Sequence, residues 1–163
     1  ALHGIAGSRG GDTGQWPCHA PVLTAAGRII ERSREDLVFA YRHSSLDELA
    51  ILEARFQLEQ DDPVELTKRM QKQWIQKKAA QPLGHQSAGC IFKNPRMGAG
   101  MLIDQGGPRG ARIGGAEVSN RHANFIVAEQ GCTTQDVLQL IEKIKTQVTA
   151  RLGVDLELEI EIW

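Results

Sequence analysis

From Thr133 to Ile162 the chain reads as one capped helix running directly into one alternating strand, and this pairing constrains the fold most. Thr133-Thr-Gln-Asp136 has capping-box spacing, in which the N-cap hydroxyl and the acid three residues later satisfy each other's backbone amides. Val137, Leu140, Ile141, Ile144, Val148 and Leu152 then recur as a helical stripe, and Gly153 stands at the expected C-terminal cap. Beyond it, Val154, Leu156, Leu158, Ile160 and Ile162 alternate with Asp155, Glu157, Glu159 and Glu161, giving a strand with an apolar and an acidic face.

The rest of the chain mixes both element types without a regular strand–helix–strand cycle, so the expected class is α+β rather than doubly wound. Residues 1–20 are glycine-rich and poorly patterned, and read as loop. Val22 to Thr24 and Arg28 to Arg32 predict a hairpin around Ala26-Gly27. Ser33 to Asp36 has capping-box spacing and starts a short helical turn. Leu49 to Leu58 alternate as a half-buried strand, with Leu52, Ala54, Phe56 and Leu58 on the inner face. Asp62 is an N-cap, Pro63 opens a helix with Glu65 reaching back, and Gln81-Pro82 ends it. On that helix Leu66, Met70 and Trp74 form a stripe expected in the core, and Lys77 and Lys78 suit its C-terminal dipole. Short apolar pieces follow: Cys90 to Phe92, Met101 to Ile103 on a helical turn, and a strand from Asn124 to Ala128. A boundary near residues 81–82 divides the chain into 1–81 and 82–163.

A net charge of -1 supplies no basic field for nucleic acid or anionic lipid. No apolar run approaches the roughly 18 residues of a membrane span. Cys18, Cys90 and Cys132 are too few and too scattered for a disulfide framework or a zinc site, which points to a reducing cytoplasm and no metal.

Chemistry concentrates in two runs. In Ser87-Ala-Gly-Cys-Ile-Phe-Lys-Asn-Pro95, Gly89 allows close backbone approach, Cys90 can donate a proton, and Lys93 and Asn94 can hold an anion and a polar edge. The second run, Gly110 to Asn124, holds two arginines, a histidine and paired glycines. Together they suggest a polar pocket for a phosphorylated or carboxylated small molecule. The paired glycines there, and Gly106 and Gly107, read as backbone necessities first.

These runs resemble a known family. Ser87 to Pro95 is similar to the signature Ser-Ala-Gly-Ser-x-Phe-Lys-Asn-Pro of the UDP-N-acetylenolpyruvoylglucosamine reductases (MurB). Ala99 to Val127 resembles that family's glycine-rich block ending in His-Ala-Asn-Phe-Ile. Gly153 to Glu159 resembles its Gly-Val-x-Leu-Glu-x-Glu, and Phe39-Ala-Tyr-Arg-His-Ser44 its Phe-x-Tyr-Arg-x-Ser. The resemblance implies a partial FAD-binding (PCMH-type) α+β subdomain over 1–81, followed by the MurB C-terminal α+β substrate-binding domain over 82–163. It implies NADPH- and FAD-dependent reduction of the enolpyruvyl ether of UDP-N-acetylglucosamine enolpyruvate. Cys90 falls where most members place the proton-donating serine; an ordinary thiol, with a pKa of about 8.5, is the stronger acid. Glu159 matches the catalytic glutamate and Arg42 the arginine beside substrate carboxylate and flavin. Lys93 belongs to the same signature, and Asn94, Arg109 and His122 match substrate-binding positions, with Arg109 where lysine is usual. Tyr41 and Ser44 complete the flavin-side motif. Gly7 and Gly11 lie in Ile5 to Gly11, an echo of the family's glycine-rich Asn-Ala-Gly stretch with Ile5 replacing the asparagine. Pro17 and Pro21 fall where the family has a strand, which proline suits poorly.

The motifs of the family's N-terminal FAD-binding domain do not occur in these residues, so FAD binding by this chain alone is not implied. Two other readings stand beside the reductase: a non-catalytic UDP-sugar-binding fragment, and a thiol enzyme pairing Cys90 with His85 or His122. Self-association through the face left by a missing domain is a further expectation.

Overall fold

The computed structural model describes residues 2–8, 11–94 and 97–162. They divide into two compact units, Ala1–Met70 and Gln71–Trp163. Each unit mixes strands with helical turns or helices, in keeping with the α+β class. Among the described residues no helix is long and apolar enough to cross a membrane, and no group of three or more His, Cys, Asp or Glu could hold a metal ion.

The first unit opens with a two-residue hairpin, β1 (Gly7–Ser8) and β2 (Gly11–Asp12), then a single 3-10 turn over Thr13–Gln15. Asp12 caps that turn, its Oδ1 accepting from the Gly14 amide at 2.8 Å. The central strand, β3 (Pro17–Leu23), pairs with β4 (Ile29–Ser33) on one side and with β7 (Ala50–Ile51) and β8 (Arg55–Phe56) on the other. The expected hairpin is present, with Gly27 at φ +72° in its turn. The 3-10 turn Arg34–Asp36 carries the expected capping box. β5 (Phe39–Ala40) and β6 (His43–Ser44) form a second small hairpin.

Three expectations for this unit are corrected. Residues 1–20 are not simply loop, because β3 begins at Pro17 and contains both Pro17 and Pro21. The strand tolerates Pro21 because a strand residue's N and O point to the same neighbour. The Pro21 carbonyl accepts from Leu52, on the side where the partner is interrupted between β7 and β8, so few ladder donors are called for there. That interruption also breaks the strand expected over 49–58. The buried alternation changes phase across it: Ile51 and Ala54 pack on the core, while Leu52, Phe56 and Leu58 are exposed. The core itself is small, built on Ala20, Val22, Leu37 and Leu46.

Helix α1 (Pro63–Ala80) begins as expected, with Asp62 Oδ1 accepting from the Val64 and Glu65 amides at 2.7 and 3.1 Å. Glu65 does not reach back but pairs with Lys68. The expected core stripe is overturned: Leu66, Met70 and Trp74 are 43%, 65% and 56% exposed, and no residue of α1 is buried. Periodicity identifies which face of a helix is apolar; it does not supply a layer to cover it.

The second unit is a four-stranded antiparallel sheet in the order β10 (Arg112–Ile113), β11 (Ala116–Val118), β12 (Phe125–Ala128), β9 (Gln86–Cys90). Helices α2 (Ala99–Gly106) and α3 (Thr134–Leu152) pack together, and their apolar stripes join the sheet in one core. The Thr133–Asp136 capping box and the left-handed Gly153 cap of α3 are both present. Leu140, Ile141, Ile144 and Val148 are buried, as the stripe predicts, against Ile103, Val118 and Phe92 among others.

The alternating segment after Gly153 is corrected from a full strand to a short pairing. Leu158 bridges Phe92, flanked by Lys93 N–H donating to Glu157 O and Glu159 N–H to Ile91 O, both at 2.8 Å. Its apolar face still turns inward through Leu156, Leu158 and Ile160, while Ile162 is exposed. Regular pairing stops where the Ile91–Lys93 edge stops.

The paired glycines are explained by packing. A Cβ on Gly115 would lie 2.6 Å from the Cys132 backbone, and one on Gly114 (φ +51°) 2.4 Å from Asp136. The first turn of α3 therefore sits directly on the β10–β11 turn, where the Gly115 amide donates to Asp136 Oδ2. Gly115→Ala is expected to lower stability by about 1–3 kcal/mol through backbone displacement. Thermal unfolding checks this; an unchanged midpoint would contradict the packing account.

Candidate functional site

Cys90 ends β9 at an irregularity that sequence alone does not reveal. Ser87 pairs with Val127 and Cys90 with Phe125, so β9 holds one residue more than β12 between these pairs. That is a bulge, and Gly89 takes it up at φ +85°, a conformation strained for any residue with a side chain. Bulges re-aim the side chain that follows. Cys90 emerges half-buried beside Phe125 and carries no disulfide.

Past Cys90 the chain is clamped from two directions. Asn124 is fully buried; its Oδ1 accepts from Phe92 N–H at 2.9 Å and its Nδ2 donates to Phe92 O at 2.8 Å. On the other side lies the Glu157–Glu159 segment. This brings Cys90 and Glu159 into adjacent backbone segments, since Glu159 pairs with the residue after Cys90. Glu159 is half-buried whereas Glu157 and Glu161 are exposed, which separates it from its acidic neighbours. Glu157 instead forms an ion pair with Lys93.

The other expected substrate contacts gather around α2. Asn94 Oδ1 accepts from the Ala99 amide at 3.1 Å, at the helix start. His122 lies against Gly100, where a Cβ would come 3.2 Å from its Cε1. Arg109, just beyond the helix, forms a two-pronged pair with Asp104, both contacts 2.7 Å. Only a guanidinium makes this fork, which gives the arginine a physical reason where the resemblance leads one to expect lysine. His122 Nδ1 accepts from the Asn124 amide at 3.2 Å, and its ring meets Phe125 edge-on at 4.9 Å. Phe125 is thus the shared neighbour of Cys90 and His122.

Burial lowers the His122 pKa, Asp104 opposing and Arg109 assisting. The folded protein therefore binds that proton less readily than the unfolded chain. Stability from the neutral ring is present above the unfolded pKa and is lost as pH falls toward the folded value. NMR titration should place His122 below an ordinary histidine, and His122→Gln should flatten stability against pH in that acid window. A His122 that titrates at or above the ordinary value would contradict this environment.

In the first unit, Tyr41 and Arg42 form the β5–β6 turn. Arg42 adopts φ +54°, stands over the Tyr41 ring at 5.2 Å, and donates through Nη1 to Ile5 O at 2.9 Å. A Cβ on Gly7 would come within 2.9 Å of that same Nη1, so a side chain there would displace the end of the Arg42 guanidinium. Ile5 itself sits at φ +45°. Asparagine tolerates that region far better than a β-branched residue, so this departure from the family pattern carries backbone strain. Ser44 is buried, its hydroxyl 3.4 Å from the Leu46 amide, and Gly11 closes the β1–β2 hairpin against Gln15.

Sequence reasoning missed Asn124, Phe125, Gly100 and the two acids that hold Lys93 and Arg109. One signal was available: Asn124 lies between Ala123 and Phe125 at the head of an apolar strand, where a polar side chain must find buried partners. A cavity of about 300 Å³, lined in part by His85, Ser119, Arg121 and Val127, includes none of the residues expected to bind substrate or cofactor.

Residues 81–163 match the family model for the UDP-N-acetylenolpyruvoylglucosamine reductase C-terminal domain. The UDP-N-acetylenolpyruvoylglucosamine reductase of Moorella thermoacetica is 38% identical over 160 residues, which is 97% of this chain and 53% of that protein. The reductase of Bacillus licheniformis is 39% identical over 166 residues, 99% of this chain and 90% of that one. The crystal structure of UDP-N-acetylenolpyruvylglucosamine reductase (MurB) from Thermus caldophilus aligns with a TM-score of 0.84 at 34% identity, covering 100% of this chain and 59% of that chain. The chain thus spans about half the length of several curated relatives it matches. With the C-terminal family model, near-complete coverage and a shared fold all in agreement, the chain belongs to the UDP-N-acetylenolpyruvoylglucosamine reductase (MurB) family.

Proposed function

We propose that these residues supply mainly the substrate-binding and proton-donor part of a reductase that converts UDP-N-acetylglucosamine enolpyruvate to UDP-N-acetylmuramate. The observation that carries this reading is a half-buried thiol on a bulged strand end, beside the segment that holds Glu159. FAD, reduced by NADPH, supplies hydride to the vinyl carbon when bound. The first unit offers a fitting edge for it: a glycine hairpin with a guanidinium held against Gly7. Gly7, Gly11, Tyr41 and Ser44 would hold the cofactor there.

In the second unit, Cys90 gives its proton to the carbon next to the one that gains hydride, and the thiolate recovers a proton from solvent. Glu159 stabilises the charge that develops on the enolpyruvyl group, while Arg42 belongs to the flavin-side edge of the first unit. Lys93, Asn94, Arg109 and His122 hold the UDP-sugar. Burial disfavours protonated His122, which suits it to hydrogen bonding rather than to adding a third cation beside Lys93 and Arg109.

The test supplies the N-terminal portion of the Moorella thermoacetica protein ahead of this chain. The fusion should bind FAD and oxidise NADPH only when the enolpyruvyl UDP-sugar is present. A flavin-loaded fusion that ignores the sugar would overturn the proposal.

A further inference from the structure

We infer that Asn124 is a positioning residue for Cys90, its buried side chain setting the strand end that carries the thiol while its main-chain N–H holds the His122 ring. This deepens the proposed function and rests on it only for the meaning of the thiol.

The ladder between β12 and β9 reaches its last paired residues at Phe125 and Cys90. Beyond Cys90 the backbone still has polar groups to satisfy, because Ile91 and Phe92 are buried in the core. Asn124 satisfies them in two ways. Its main-chain carbonyl accepts from Ile91 N–H at 2.9 Å, and its side-chain amide faces Phe92, accepting from N–H and donating to C=O. The amide thus replaces a peptide of the missing partner strand. Freed from pairing, the main chain before Asn124 turns back, and the Asn124 amide donates to His122 Nδ1.

One fully buried residue therefore ties three features together: the strand end after Cys90, the edge that Glu157 and Glu159 pair with, and the His122 ring. Among uncharged side chains only an amide carries donor and acceptor on one carbon as a peptide unit does, and glutamine, the other such residue, is one methylene longer. Asn124→Asp keeps the acceptor for Phe92 N–H and loses the donor to Phe92 C=O. Asn124→Leu loses both.

The experiment follows alkylation of Cys90 and Cys132 in the same chain by peptide mass spectrometry, with iodoacetamide as probe. In Asn124→Leu, Cys90 should react about tenfold to a hundredfold faster, the range that corresponds to two lost hydrogen bonds of ordinary net strength. Cys132, which sits by the Gly115 turn, should keep its rate. Asn124→Asp should fall between parent and Asn124→Leu, a partial rescue that loss of global stability would not give. Equal acceleration of both thiols, or no change at Cys90 in a folded variant, would overturn the assignment. If Asn124→Leu does not fold, Asn124→Asp and the parent chain carry the test. The parent's Phe92 amide should exchange with deuterium far more slowly than an exposed amide, and Asn124→Asp should retain that protection while Cys90 reactivity rises. A rapidly exchanging Phe92 amide in the parent would refute the clamp. Because alkylation needs neither flavin nor sugar, the positioning role and the proton-donor role can fail separately.

Discussion

Cys90→Ala, made in the flavin-bearing fusion, is expected to leave reduction of the flavin by NADPH unchanged and to slow formation of the muramate product by about a hundredfold to ten-thousandfold, the usual contribution of a positioned general acid. The two half-reactions separate because they call on different residues. On the proposed function, flavin reduction would draw on the first-unit edge of Gly7, Tyr41 and Arg42. Proton delivery would draw on the bulged end of β9. Stopped-flow absorbance reads the first and product mass the second. Cys90→Ser should recover part of the loss, since a hydroxyl occupies the same position but holds its proton more tightly. Equal loss in both half-reactions would mean that Cys90 supports the fold or the cofactor, and unchanged product formation would remove it from the chemistry.

Phe92→Ala carries the largest expected loss of stability in the second unit, about 3–5 kcal/mol for deletion of a large buried aromatic side chain. Phe92 is fully buried, bridges Leu158, and belongs to the same cluster as Ile103, Leu140 and Ile144. Its backbone is the part of the chain that Asn124 holds. The cavity would open beneath the short pairing of residues 91–93 with 157–159, so the Glu159 segment should loosen before the sheet does. Hydrogen exchange should show the Glu159 amide losing protection while α3 amides stay slow, with a lower global unfolding midpoint. Intact Glu159 protection together with a small midpoint shift would mean that the C-terminal segment is held by something other than this pairing.

Much of the second unit was legible because its signals are redundant. The Thr133 capping box, the Leu140 to Val148 stripe and the Gly153 cap all state one helix, and each is local. The α1 stripe was equally clear and equally helical, yet Leu66, Met70 and Trp74 stay exposed, because burial depends on a second layer that periodicity does not encode. The segment 49–58 failed differently: a break between Ile51 and Arg55 shifted the phase of alternation, and strand breaks leave little trace in composition. The candidate site shows the same division. Cys90, Lys93 and Asn94 sit in one contiguous motif and could be named together. The Cys90–Phe125 pairing that leads on to His122 and the Asn124 clamp on Phe92 join residues far apart in the chain, and only pairing in space reveals them, whereas the Asp104 fork on Arg109 is local but is not specified by spacing alone. Gly114 and Gly115 were rightly placed as backbone necessities, and the reason is now specific: α3 leaves no space for a Cβ.

The most direct measurement is an amide NMR titration of the 163-residue chain with UDP-N-acetylglucosamine enolpyruvate. Saturable shifts should appear at Cys90, Lys93, Asn94, Arg109 and His122, with the α1 amides unmoved. Shifts confined to other surfaces, or a spectrum indifferent to the sugar nucleotide in an otherwise folded protein, would contradict the assignment of the β9 end and the α2 surroundings as its binding site.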